Sequence, residues 1–153
     1  MNLDKNELMK WRVQSPEEVG FHKVIIPSKS ACKEAQMFRL NLKAGDSYDL
    51  VSEELELHAV LILGKAKLSD NEINKFDAFY IPGNNKVRIT AIEECIFYIA
   101  GAVCEGYGEV LFRKFDISLP IGDIHQIHGE GSGQREVMFT LAPQDKASRL
   151  ICG

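Results

Sequence analysis

Leu55-Glu56-Leu57-His58-Ala59-Val60-Leu61-Ile62-Leu63-Gly64-Lys65-Ala66-Lys67-Leu68 is the stretch on which the fold turns. Leu55, Leu57, Ala59, Leu61 and Leu63 recur at period two, which in an extended chain puts them on one face. Glu56, His58, Val60 and Ile62 take the other. The pattern predicts a strand with one wholly apolar side, interrupted at Gly64 as a hairpin or bulge would interrupt it.

The same alternation continues in both directions. Upstream, Phe38, Leu40 and Leu42 alternate with Arg39, Asn41 and Lys43 and run into a turn at Ala44-Gly45-Asp46. Downstream, a mixed run over 71–81 closes on Pro82-Gly83-Asn84-Asn85, a strong turn signal, and Lys86-Val87-Arg88-Ile89-Thr90 alternates again. Further strands are predicted over 96–103, 109–115, 123–128 and 136–141. Short strands separated by Gly and Pro at regular spacing point to an antiparallel sandwich or barrel. Helical periodicity is confined to the first dozen residues, where 4–11 reads as a short helix or arm with Trp11 as a packing anchor.

With 153 residues and 45% hydrophobic content, the chain reads as one domain over 1–153 with a buried core. The formal charge of −4 is spread without a basic block, which removes the electrostatic footprint of a nucleic-acid binder. The N-terminus lacks an apolar signal core, and no stretch approaches the roughly 18 apolar residues of a membrane span. A soluble, cytoplasmic protein is expected. Cys32, Cys95, Cys104 and Cys152 stand far apart without a C-x-x-C spacing, and three lie in apolar runs that suit buried thiols. Neither a disulfide framework nor a cysteine zinc site follows.

The middle of the chain resembles the two motifs of the cupin jelly roll, a small double-stranded β-helix barrel. The first motif runs from Gly45-Asp46 to Val60-Leu61-Ile62-Leu63-Gly64-Lys65-Ala66, and the second is Asp77-Ala78-Phe79-Tyr80-Ile81-Pro82-Gly83-Asn84-Asn85-Lys86. The resemblance implies an all-β barrel in which the first motif supplies two histidines and a carboxylate to a metal and the second supplies another histidine. Aligned on Gly64, however, the carboxylate position is Leu57; aligned on Pro82-Gly83, the histidine position is Lys86. Leu50-Val51-Ser52-Glu53-Glu54-Leu55 stands where a His-x-His pair belongs. No metal is expected in this barrel, and the apolar face carrying Leu57 predicts a dry core. His58, on the opposite face, reads as an exposed or interface residue. Lys86 and Arg88 share a strand face that suits a sugar carboxylate, or both simply meet water while Val87 and Ile89 face inward.

Residues His125-Gln126-Ile127-His128-Gly129-Glu130-Gly131-Ser132-Gly133-Gln134-Arg135-Glu136-Val137 form the other informative run. In a strand His125 and His128 diverge, and the following glycines disfavour the helix that would bring them together. Asp123 with His125, or His128 with Glu130, would share a face as polar pairs. The glycines read as a flexible connection rather than a phosphate cradle, because no Gly-Lys followed by Ser or Thr and no helix comes after them.

This run, with Asp145-Lys146-Ala147-Ser148-Arg149-Leu150, resembles the cupin family that contains 5-deoxy-glucuronate isomerase and 5-keto-4-deoxyuronate isomerase. The resemblance implies the N-terminal half of a two-barrel, sugar-acid aldose–ketose isomerase. A second cupin with a divalent metal such as zinc would be expected after Gly153. Within this chain it implies His125, His128 and Glu130 for proton transfer and Arg135, Lys86 and Arg88 for the substrate's acid group. The competing expectation is a metal-free cupin module that binds a small molecule or pairs as a homodimer.

Overall fold

A computed structural model of the chain describes residues 12–30 and 32–153; the expected N-terminal helix or arm and Trp11 lie outside them. Twelve strands follow in chain order: β1 (Gly20–Ile25), β2 (Ala35–Leu42), β3 (Ser47–Val51), β4 (Leu55–Leu63), β5 (Ala66–Leu68), β6 (Asn71–Ile73), β7 (Ala78–Ile81), β8 (Lys86–Ala91), β9 (Cys95–Val103), β10 (Leu111–Arg113), β11 (His125–His128) and β12 (Arg135–Met138). They pair antiparallel into a six-stranded sheet, β1-β2-β9-β4-β7-β10, and a four-stranded sheet, β3-β8-β5-β6. β11 and β12 form a separate hairpin. No helix among the described residues is long and apolar enough to cross a membrane.

The period-two pattern produces a sandwich core. Leu57, Ala59 and Leu61 from β4 meet Leu40 and Phe38 from β2, Phe97 and Ile99 from β9, and Leu50, Leu68 and Ile89 from the facing sheet. Each large side chain removed from water here contributes roughly 1.5–3 kcal/mol, and two-sided coverage explains why β7 is buried along its length.

Strand β4 departs from strict alternation at its end. The β4–β9 register slips between Leu61 and Leu63, and Leu63 is exposed rather than continuing the apolar face. On its other edge Leu61 donates its N–H to the Asp77 carbonyl and accepts from Phe76 N–H, while the β9 ladder skips Ile62 as a bulge and resumes at Leu63↔Ile96. Gly64 follows at φ +86°, and a Cβ on it would sit 1.9 Å from the Glu94 carbonyl oxygen. Backbone cannot move aside as a flexible side chain would. Gly64→Ala is therefore expected to cost at least about 2 kcal/mol, read as a lower urea midpoint with unchanged slope. An unchanged midpoint would show that the approach is relieved elsewhere.

Strands β1 and β3 are not separately legible in the alternation. The expected strands over 109–115, 123–128 and 136–141 are shorter, because turns and bends take their outer residues.

Candidate functional site

Three places carry the chemistry of this chain: the barrel mouth, the outer face of the large sheet beneath the C-terminal segment, and the β11–β12 hairpin.

At the mouth, Leu57 is buried at the base of a cleft of about 390 Å³. Phe21 stacks between Phe38 (centroids 5.2 Å apart) and Tyr48 (5.7 Å), and Lys23, Gln36, Asp49, Glu53 and Glu54 form the rim. Ser52 lies behind it, donating its hydroxyl to the Pro82 carbonyl at 2.7 Å and accepting from Asn85 N–H at 2.9 Å, so it closes a turn rather than facing a ligand. Lys86 and Arg88 project from β8 to Asp49, at 3.7 and 3.1 Å, as exposed surface pairs. A metal does not fit the positions where cupins hold one, since an aliphatic group fills the first and a surface ammonium paired to Asp49 occupies the other. Among the described residues, no group of three or more His, Cys, Asp or Glu could hold a metal ion.

The outer face of the large sheet corrects the reading of His58. Glu56 and His58 do lie opposite the apolar stripe, but both are fully buried rather than exposed, because 139–153 folds back over them. Glu56 accepts N–H bonds from Ser148 (2.7 Å), Arg149 (2.6 Å) and Leu150 (2.6 Å), and the Tyr80 hydroxyl donates to it at 2.7 Å. Burial, reinforced by the Glu56 carboxylate, holds the Tyr80 phenol well above its ordinary range. Arg113 clasps Asp145 through two bonds of 2.8 and 2.9 Å, and Asp145 also caps Ala142 N–H. Asp145-Lys146-Ala147-Ser148-Arg149-Leu150 is thus a strap fastened at both ends, by a carboxylate of its own and by one beneath it. His58 Nε2 is buried without a partner among the described residues. Burial, aided by the Arg113 charge and opposed by the Thr140 backbone, lowers its pKa to about 4. A neutral ring is the form that a desolvated site tolerates. Burial first, then Glu56, raises the Cys152 thiol to about 11, so it stays protonated.

On the hairpin, His125 and His128 have different fates. His125 is buried, with Nδ1 2.7 Å from the Leu119 carbonyl and Nε2 2.6 Å from Glu136 Oε1. Its acidic partner is Glu136, not the expected Asp123. A carbonyl and a carboxylate both accept, so satisfying both requires two ring N–H groups, the imidazolium. The Leu119 carbonyl first, then Glu136, raises its pKa from the ordinary 6.5. A raised histidine pKa contributes stability that is complete below 6.5 and lost as pH rises through the folded value. The stability gap between wild type and Glu136→Gln should accordingly be widest below about pH 6 and narrow above neutrality. A gap constant across thermal melts from about pH 5.5 to 9 would sink this assignment. His128 is exposed, contacts Gln126 Oε1 at 2.8 Å rather than Glu130, and faces Arg135 across the hairpin. Glu130, exposed, precedes a 3-10 turn over Gly131–Gly133; Gly129 at φ +80° would place a Cβ 2.6 Å from the Gly133 carbonyl. The structure brings His128 and Arg135 together but leaves Lys86 and Arg88 on another sheet. Sequence reasoning missed Glu56, Tyr80, Arg113 and Asp145 as a unit. The one available signal was a carboxylate flanked by leucines at 55 and 57.

Two packed sheets with Leu57 in the lumen define a cupin-type jelly roll without the usual cupin ligand set. The chain belongs to the KduI/IolB family, whose model matches residues 8–153. Among solved structures it is similar to an IolB-like protein from Salmonella typhimurium LT2 (22% identity, TM-score 0.59), covering 82% of this chain and 51% of that one. It is also similar to Escherichia coli pirin YhhW in complex with nickel(II), at 12% identity and TM-score 0.50 over 56% of this chain and 40% of that one. Oxalate decarboxylase from Lactobacillus farciminis gives 17% identity and TM-score 0.50 over 61% and 31%. These likenesses concern the fold, and the chain spans about half the length of the IolB-like protein. No curated protein matches the chain.

Proposed function

We propose that the chain serves the aldose–ketose isomerisation of a deoxy sugar acid as the metal-free barrel of a two-barrel isomerase. The observation that carries this reading is an apolar lumen, closed at Leu57, in a chain of the KduI/IolB family. The reaction moves a proton between adjacent carbons while carbonyl and hydroxyl exchange places. It needs a base near neutral pKa and a charge to hold the enediolate oxygen. Both nitrogens of His125 are committed to Leu119 and Glu136, so in this reading His125 shapes the hairpin. His128, Glu130 and Arg135 are exposed together at the end of the hairpin and in this reading meet a substrate edge, whereas Lys86 and Arg88, exposed on another sheet, are paired with Asp49. A metal-bearing cupin barrel, in frame or encoded nearby, supplies the electrophile.

The test assays the chain with 5-keto-4-deoxyuronate and 5-deoxy-glucuronate plus divalent metal, alone and together with a cupin barrel from the same genome that carries a His-x-His motif. Turnover is expected only for the pair. Turnover by this chain alone, with stoichiometric bound metal, overturns the division of labour. No turnover by the pair overturns the isomerase reading itself.

A further inference from the structure

We infer that the apolar groove beside β12 is the contact surface for a second copy of this chain, related by a twofold axis normal to the groove; the inference goes beyond the proposed function and does not rest on it. Along the outer face of β4 the C-terminal segment buries Glu56 and His58 but leaves Val60 and Ile62 only partly covered. Next to Thr140 of that segment a groove of about 510 Å³ opens beside Val60.

The groove has two different walls. One, from the connection between β6 and β7 and the segment after β10, carries Phe76, Phe115 and Ile117; the other, from β12, carries Val137 and Met138. Phe76 holds φ +74°, a left-handed conformation rare for a bulky side chain, and presents a ring 41% exposed, edge-on to Phe115 at 5.4 Å. Ile117 is 68% exposed on the same wall. A contiguous apolar surface held outward by a strained residue marks a contact that removes it from water.

The two walls complement each other, which selects a second copy over an unrelated partner. Lys75, 4.8 Å from the Phe76 ring centroid, puts a cation on the first wall and forms no ion pair among the described residues. Asp116, between Phe115 and Ile117, turns its carboxylate to the Ser118 amide and hydroxyl. Glu136 puts a carboxylate on the second wall; its Oε1 binds His125, and its side chain is otherwise open to solvent. A twofold axis normal to the groove lays each wall of one copy on the opposite wall of the other. Lys75 then meets the partner's Glu136 at the rim, and Ile117 enters the groove against the partner's Val137 and the partner's Met138. One operator makes each of these contacts twice.

The experiment is sedimentation of the chain alone from about 1 μM to about 1 mM, joined to isotope-filtered NMR on a mixture of labelled and unlabelled chains. A monomer–dimer equilibrium is expected, with intermolecular contacts from the Ile117 methyls to those of Val137 and Met138. Ile117→Asp, at a position exposed in the single chain, should melt like wild type under dilute, monomeric conditions and weaken the dimer at least about tenfold. Lys75→Glu should weaken it about three- to tenfold, since the symmetry places the reversed charge in the contact twice. Val51→Asp, at an exposed apolar position on β3 of the other sheet, should dimerise like wild type. A monomer throughout the range overturns the inference, as does a dimer that lacks these contacts, a Lys75→Glu variant that dimerises like wild type, or a Val51→Asp variant weakened as much as Ile117→Asp. A chain monomeric alone whose groove methyls instead contact a metal-bearing cupin barrel also overturns it and assigns the groove to that partner. Turnover plays no part in these readouts.

Discussion

Glu56→Ala should destabilise the chain by roughly 3–5 kcal/mol, the largest loss expected from any single polar substitution described above. The carboxylate is fully buried and receives four hydrogen bonds, three of them from consecutive backbone amides of the strap. Removing it leaves those N–H groups and the Tyr80 hydroxyl without an acceptor in a place water does not reach. Each unsatisfied group costs about 1–3 kcal/mol, and relaxation of the strap recovers part of the sum. Glu56→Gln should fall between the two, since its amide oxygen still accepts but its NH2 confronts donors. Tyr80→Phe deletes one bond of the four and should cost about 1 kcal/mol. The discriminating measurement is amide exchange at Ser148, Arg149 and Leu150, which should lose protection in Glu56→Ala well before the β4–β9 ladder does. Loss of protection spread evenly over both would mean that the strap is not a separable element.

The fold was legible where one periodicity acts alone. Leu57, Ala59 and Leu61 announce β4, and both turns, at Gly45 and at Pro82-Gly83, stand where the residues demand them. The bulge that turns Leu63 outward was not legible, because it lies in the register with β9, a strand more than 30 residues away in sequence, where Leu61 faces Phe97 and Leu63 already faces Ile96. His58 failed for a related reason. Strand geometry assigns a side chain to a face but says nothing about what later covers that face, and here the cover comes from 139–153. The C-terminal motif pointed correctly to the family while its physical role stayed hidden. Its amides and Asp145 bind Glu56 and Arg113, partners some 90 and 30 residues away, and no local pattern encodes such a pairing. The aromatic stack at the mouth was equally out of reach, since β1 and β3 bring Phe21 and Tyr48 together only after both sheets close.

Leu57→Glu tests the lumen directly, because it returns a carboxylate to the position where a cupin places one. In this barrel the new group would lie among the aliphatic and aromatic side chains of the core, at the base of a mouth whose described lining has no histidine and only Lys23, exposed at the rim, as a cation. The expected cost near neutral pH is about 3–5 kcal/mol, combining lost leucine packing with desolvation of the charge. Its pH dependence separates the two contributions. Desolvation raises the pKa of a buried carboxyl, so the folded variant binds a proton at a pH where the unfolded chain has already released it. Stability relative to wild type should then fall as pH rises from about 4 through the raised pKa, and part of the loss should return in acid. Leu57→Gln supplies the control, since it carries the polar volume without the titration and should run parallel to wild type. If Leu57→Glu shows no more pH dependence than Leu57→Gln, its carboxylate reaches solvent through the cleft, and the lumen is wetter than an apolar core allows. Stabilisation of Leu57→Glu by added zinc or manganese, absent in wild type, would show that the barrel retains donors for a metal beyond those the fold places at its mouth.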